Sequence, residues 1–573
     1  MTEQLTITTE RVDYIPVLLA QSERMGIADL LDAHFKPHGN WEGMSLGWTT
    51  AVWLTHMVSE GDHRMNQVQP WVEQRMQTLQ TCTGQAVCDR SWSDDRLALV
   101  LDALSEDQKW QLLETALTQR MVRVYHLKPQ RVRLDSTTVN GYWSVNEEGL
   151  FQLGHSKDHR PDLPQLKVML SALDPMGVPV ATQVVAGNSA DDPLYLPAIQ
   201  QVSASLGEHG LLYVGDCKMG ALPTRATLQA QGDYYLCPLA NKQLPDELLE
   251  AYLQPVWAGE QAVEEVWRER EGREPERLAE GYERTHTLTA QVGDSSVTWN
   301  ERLLVVRSFQ HAEAAIVALQ AHVTKAQAAL AQLTERKQGK KHYDDAASLQ
   351  QAAQAILKAH RVDGLFTLTI TEHVEERSVR AYGTRPATLR LDHMLHLRVT
   401  VDEPALAAAI RRLGWRVYAT NHPQEPLPLA QAVLAYREEY LVERDFGRLK
   451  GKPLSLSPMY VQSDQRATGL IRLLSLALRL LTLLEFQVRQ RLADRHDTLP
   501  GLYAGNPKRT TSRPTAEALL KAFQLIHLSV VTIGEQVHRH LTPLSPLQLS
   551  ILSLLDLSPT LYDRLCAESL KPT

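Results

Sequence analysis

Asp135, in RLDSTTV, and Asp216, in YVGDCKMG, each follow apolar, β-branched residues of the kind that fill a strand buried on both faces. A carboxylate at the end of such a strand is expensive to bury unless something binds it. In open α/β sheets that edge is also where ligands sit. A third acid, Glu443, lies in YREEYLVERDFGRLKGK, seven residues after Tyr436 and seven before Lys450. At about 3.6 residues per turn, a step of seven returns a side chain to nearly the same helix face. One helix from Tyr436 to Lys452 is therefore expected to present a hydroxyl, the carboxylates of Glu439 and Glu443, the Phe446 ring and an ammonium side by side. For this helix alone the plain alternative is a solvated face with ordinary ion pairs. Two aspartates and a glutamate meeting at one point would instead suit Mg²⁺, a hard cation that takes carboxylates together with phosphate oxygens.

The elements that must bring these acids together can be read in order. Arg131–Val139, Leu166–Leu173 and Pro179–Gly187 have strand composition, and DDPLYLPAIQQVSASL is helical. LLYVGD is a buried strand, MGALPTRATLQAQ a helix and DYYLCPL a further strand. The order β-β-β-α-β-α-β implies a mixed sheet flanked by helices. In a sheet ordered 3-2-1-4-5, the strands carrying Asp135 and Asp216 are neighbours.

Around this core, residues 1–128 read as a helical domain with six of the eleven tryptophans, a density that suits a small helical core, although exposed Trp could also serve a partner. Residues 129–239 form the first part of the core. From 240 to 429 the alternation breaks into strand-like pieces and a long helical stretch, as expected of an inserted domain. There Ile316, Leu319, Val323, Ala326, Leu330 and Leu333 make a short coiled-coil-like seam, interrupted by the basic cluster ERKQGKKH. Residues 430–495 carry the acidic helix and the rest of the core, and 496–573 read as a helical C-terminal region.

Composition leaves the partner open. The net charge is −8 and the pI near 6.2, which does not advertise a nucleic-acid binder, although a local basic surface would suffice for one. Five cysteines in no CxxC or metal-ligand spacing fit a reduced, cytoplasmic protein. The first residues have no secretory pattern. Gly469–Phe486 is very apolar, but Arg472 and Arg479 interrupt it, which argues against a membrane span. With Ser475 and Thr482 they form a polar stripe, expected to be an exposed helix edge.

LDSTTV, VGDCKM and YREEYLVERDFGRLKG, in this order, resemble the DDE transposases of bacterial insertion sequences. They resemble more narrowly the insertion-sequence-four superfamily, whose third motif is Y-x2-R-x3-E-x6-K. Tyr436, Glu443 and Lys450 fall on that frame, and Glu439 stands where the family has Arg. Arg437 or Arg444 could supply the phosphate contact that the family's arginine makes. The resemblance spans roughly residues 131–490. The N-terminal helices and GHSKDHRPDLPQLKV (Gly154–Val168) also resemble a subgroup of longer proteins.

The resemblance implies an RNase H-like core interrupted by a β-containing insertion, with Asp135, Asp216 and Glu443 holding two Mg²⁺ ions for which Mn²⁺ can substitute. It implies cleavage at terminal inverted repeats and strand transfer to target DNA, performed by a homodimer or larger assembly on paired ends. Tyr436 and Lys450 would face DNA phosphates. Lys157 and Arg160, in the polar loop with His155 and His159, are further DNA-contact candidates. Trp415, on a strand-like segment 28 residues before Glu443, is a candidate platform for a flipped base or else a core residue. A nuclease without strand transfer and a non-catalytic DNA-binding derivative remain the alternatives. Asp191 and Ser189 read as helix caps, and Asp174 as a turn residue.

Overall fold

The strands that carry the candidate acids run as the sequence expects. In the computed structural model, Arg131–Asn140, Gln165–Leu173, Val178–Ala186, Leu212–Gly215 and Tyr234–Pro238 lie in the spatial order third, second, first, fourth, fifth. The first three pair antiparallel, and the first, fourth and fifth run parallel. Gln165–Leu173 is buried along its whole length, which its unbroken run of mostly apolar residues anticipates. The structure describes residues 5–567 except 37, 38, 40, 88, 271–273, 335–342, 344, 381, 382, 384, 385, 387 and 507. ERKQGKKH (335–342) and Cys88 lie outside the described residues.

The chain divides into two compact units. One comprises Met1–Cys237, Leu288–Trp299 and Ala435–Thr573; the other comprises Pro238–Thr287 and Asn300–Leu434. The strands Trp415–Thr420 and Glu264–Arg268 lie in the second unit, with residues 300–308 of Ser295–Ser308 and 276–287 of Glu276–Val292. This unit also holds a two-stranded ribbon, Phe366–Val379 with Thr388–Val401. The helix Phe309–Ala331 buries Val323, Ala326 and Leu330 against Ala353, Leu357, Val362 and Leu365. The C-terminal half of the expected seam is thus consumed inside this unit.

In the first unit a 31-residue helix, Asp464–Asp494, runs through the core. By length and composition alone it could cross a membrane, but 94% of its apolar window is buried inside the protein. The expected exposed edge on this helix is not observed. Arg472, Ser475, Arg479 and Thr482 are all buried, Arg479 completely. Arg479 pairs with buried Glu114 and donates to the Pro179 carbonyl at 2.9 Å. Arg472 donates to the Leu104 carbonyl at 2.9 Å and pairs with Asp107. A stripe of arginines looks solvated in sequence when its partners lie hundreds of residues away.

Two further corrections concern the terminal regions. Leu5–Arg11 is a strand, and it pairs antiparallel with His527–Ile533, which forms a hairpin with Gln536–Leu541. Neither terminal region is purely helical. Glu10, on that first strand, accepts from the backbone N–H of Gln77 and Thr78 at 2.9 and 2.8 Å, at the start of the Met76–Thr83 helix.

Candidate active site

The parallel register decides where two of the acids stand. Leu134 pairs with Gly215, so Asp135 and Asp216 are the next residues on adjacent strands. Asp216 follows the last residue of its strand, as expected. Asp135 does not end its strand: the chain stays in the sheet to Asn140, paired antiparallel to Gln165–Leu173. Only the parallel neighbour stops at this level, leaving Asp135 beside an open edge.

Asp135 is one-fifth exposed, and its Oδ1 lies 3.1 Å from the Lys157 ammonium. Burial pushes its carboxyl above the usual range; Lys157 opposes the shift and the Asp216 charge adds to it. Asp216 Oδ1 accepts from the Tyr195 hydroxyl at 2.6 Å and the Lys218 N–H at 2.8 Å. Tyr195 is itself buried, and burial followed by the Asp216 charge raises its hydroxyl pKa well above normal. It remains a proton donor that holds Asp216 in orientation.

The acidic helix is not continuous. Leu429–Arg437 ends, Glu438 and Glu439 form a turn, and Tyr440–Lys450 begins a new helix. Tyr436 therefore precedes the break, while Glu443 and Lys450 follow it. The new helix buries Leu441, Val442, Asp445, Phe446, Arg448 and Leu449, and leaves Glu443 exposed. Glu439, at the break, is pushed up to about 7, first by burial and next by the Asp135 charge. Tyr436 hydrogen-bonds it, and Glu443 and Asp216 raise it further. Four carboxylates thus act on one another here, one of them in the place of the expected arginine.

What fixes the helix break to the strand was not legible as function. Arg133 lies on the same strand face as Asp135, two residues earlier, and is buried. It donates to Asp174 at 2.7 and 2.8 Å, to the Ala435 carbonyl at 2.9 Å and to Glu438 at 3.2 Å. Asp174 is thus more than a turn residue. The signal available in sequence was a charged residue inside an apolar strand, which must be paired to be buried. Asp191 is not a helix cap either: it accepts from buried Lys167 at 2.8 Å and from Ser136 Oγ at 3.3 Å.

The remaining sequence candidates are placed as follows. Lys450 Nζ meets both oxygens of Asp158, at 2.9 and 3.0 Å. Arg160 pairs with Asp162 inside its own loop. Arg444 donates to buried Glu485 and to the Met176 carbonyl, so it is not available as the substitute phosphate contact. Trp415 lies in the second unit, 8% exposed, on a strand paired to Ser295–Ser308.

Residues 128–480 match the model of the transposase DDE domain, well over half of the chain. The chain belongs to this family. DNA cleavage and strand transfer are the chemistry of DDE transposases. Among solved structures, piggyBac transposase in a synaptic complex with hairpin DNA aligns over 99% of this chain and 89% of its own, at 10% identity and a TM-score of 0.35. That likeness is too loose to carry an argument. No curated protein matches.

In this DDE transposase the donor set fits a hard divalent cation in type. Asp135 and Asp216 offer oxygen ligands side by side, and the Lys157 ammonium already stands on Asp135 as a positive charge. Among the described residues, no three His, Cys, Asp or Glu are gathered closely enough to hold an ion as they stand. The aspartate pair is assembled, and exposed Glu443 acts through its charge on Glu439.

Proposed function

We propose that this protein is the transposase of an insertion sequence of the insertion-sequence-four superfamily, acting on the terminal inverted repeats of its element and then on target DNA. The observation that carries this is the strand register that sets Asp135 beside Asp216, with the coupled carboxylates Glu439 and Glu443 at the helix break. Residues 129–239 and 430–495 make an RNase H-like core in this reading, 240–429 its insertion, and 1–128 and 496–573 the flanking regions. Asp135, Asp216 and Glu443 would hold two Mg²⁺ ions, with Mn²⁺ able to substitute. Bound there, such ions lower the pKa of water and stabilise a leaving oxygen, so the protein need not supply a general base.

The chain's own residues bind and orient. Tyr195 and the Lys218 N–H fix the Asp216 carboxylate, and the Arg133 network fixes the approach of the Tyr440–Lys450 helix. Lys450 and Tyr436 would hold DNA phosphates, and Lys157 and Arg160 would extend that contact along the backbone. In-line displacement at a phosphodiester nicks the element end; the freed 3′-hydroxyl then attacks target DNA. Joining two ends calls for at least two protomers. With Glu439 on the motif frame, one phosphate contact of the family is replaced by a carboxylate.

Asp135→Asn, Asp216→Asn and Glu443→Gln should each lower Mg²⁺-dependent cleavage of repeat-end DNA by about a thousand-fold or more, with DNA binding largely retained. A variant that cleaves normally removes its residue from the set. Cleavage without joining of paired ends would make the protein a nuclease, and neither activity in the parent chain would make it a DNA-binding derivative.

A further inference from the structure

The loop between the first two core strands touches the candidate site twice, with neighbouring residues of opposite charge. Lys157 Nζ lies 3.1 Å from Asp135 Oδ1 and also donates to the Ser136 carbonyl. Asp158, the next residue, holds Lys450 Nζ with both carboxylate oxygens at 2.9 and 3.0 Å. The loop backbone is fixed independently of these side chains. The Lys157 N–H donates to Thr138 Oγ1 at 3.1 Å, and buried Ser156 accepts from the N–H of Asp158 and Arg160, each at 3.2 Å. Lys157 and Asp158 themselves are 32% and 41% exposed. A seated loop thus carries two part-exposed side chains, Asp158 also accepting from Asn140 Nδ2 at 3.4 Å.

An ammonium on a carboxylate fills the place a divalent cation would take. A carboxylate gripping a lysine with two oxygens fills the place a phosphate would take. We propose that Lys157 and Asp158 form a charge-swapped strap, which stands in for metal on Asp135 and for DNA phosphate on Lys450 until both arrive. This rests on the proposed function, which puts metal on Asp135 and phosphate on Lys450. Metal on Asp135 would release Lys157 to the DNA backbone, and a phosphate that draws Lys157 away would release Asp135 to metal. Metal and DNA therefore help each other to bind, and the coupling is reciprocal. The freed Lys157 can then turn to the incoming backbone.

The test measures binding, not turnover. Free Mn²⁺ is followed by electron paramagnetic resonance, and a duplex of arbitrary sequence by fluorescence anisotropy in Ca²⁺. Lys157→Gln should tighten Mn²⁺ binding by about fivefold and Asp158→Asn should tighten duplex binding by about threefold, the range set by part-exposed ion pairs. Lys157→Gln should also shrink the mutual enhancement of Mn²⁺ and duplex binding expected of the parent protein. Unchanged or weaker binding in both variants overturns the strap. Asp135→Asn separates the two levels of the argument. If it loses Mn²⁺ binding while Lys157→Gln gains none, the strap alone fails. If it binds Mn²⁺ like the parent, the metal reading fails and takes the strap with it.

Discussion

Two clusters of buried or half-buried charge meet the Tyr440–Lys450 helix, and they are built to opposite rules. Behind the helix, fully buried Glu485 is met by Arg444 at 2.8 Å, Arg489 at 2.6 Å and Arg448, which also reaches Glu517 at 2.8 Å. Near the helix start, burial and then the Asp216 charge raise Asp135, and burial with the charges of Asp135, Glu443 and Asp216 raises Glu439, with Lys157 bound to Asp135. The first cluster sets three arginines against two carboxylates, which costs desolvation but leaves neither acid unanswered. The second keeps a negative excess beside an open strand edge. Charge answered within the chain holds a fold together, whereas unanswered charge invites a ligand.

The largest effect should come from breaking a balanced pair. Glu114→Ala would leave the Arg479 guanidinium buried without its counter-charge, and we expect a loss of about 3–5 kcal/mol in urea unfolding. Replacing both together, as Glu114→Leu with Arg479→Met, should recover most of that loss. If the single variant is as stable as the parent, buried charge answered within the chain does not hold the fold together as the comparison says.

A middle-sized effect should come from a group the fold keeps neutral. His56 is buried edge-on against Trp71, with ring centroids 5.5 Å apart. Burial, aided by Arg75 and opposed by Asp62, lowers its pKa from 6.5 to about 4. The unfolded chain takes up a proton below 6.5 and the folded one only near 4. Stability should therefore be complete above pH 6.5 and fall as the pH drops from 6.5 to 4, by at most about 3 kcal/mol. Urea unfolding across that window should show the slope, and His56→Phe should flatten it.

The smallest effect should come from the unbalanced cluster. Asp135→Asn removes a carboxylate whose charged form the fold disfavours, at the cost of the Lys157 contact. Stability in EDTA should change by less than about 1 kcal/mol, in either direction. A loss as large as that of Glu114→Ala would place Asp135 among the structural charges.

Sequence legibility followed the same divide. The strands carrying Asp135 and Asp216 are legible because apolar runs are local signals, whereas their order in the sheet is set by the fold as a whole. The break at Glu438–Glu439 is not legible, since it depends on Arg133 pulling on the Ala435 carbonyl and Glu438 from 302 and 305 residues away. The arginine stripe on Asp464–Asp494 looks solvated in sequence because Glu114, the partner of Arg479, is 365 residues distant. The terminal strand Leu5–Arg11 gives no buried-face signal in the sequence, because most of it is exposed and its partner is His527–Ile533. Local periodicity reports elements; it does not report which distant charge answers which.

The pairing of Leu5–Arg11 with His527–Ile533 has a consequence for synthesis. A ribosome making ~5–20 residues per second delivers the second strand roughly half a minute or more after the first. Throughout that interval the early strand has unpaired backbone edges and must be kept from other partners. A nascent chain that stalls before His527 can never close this seam, so interrupted products are left with an open strand that marks them as unfinished.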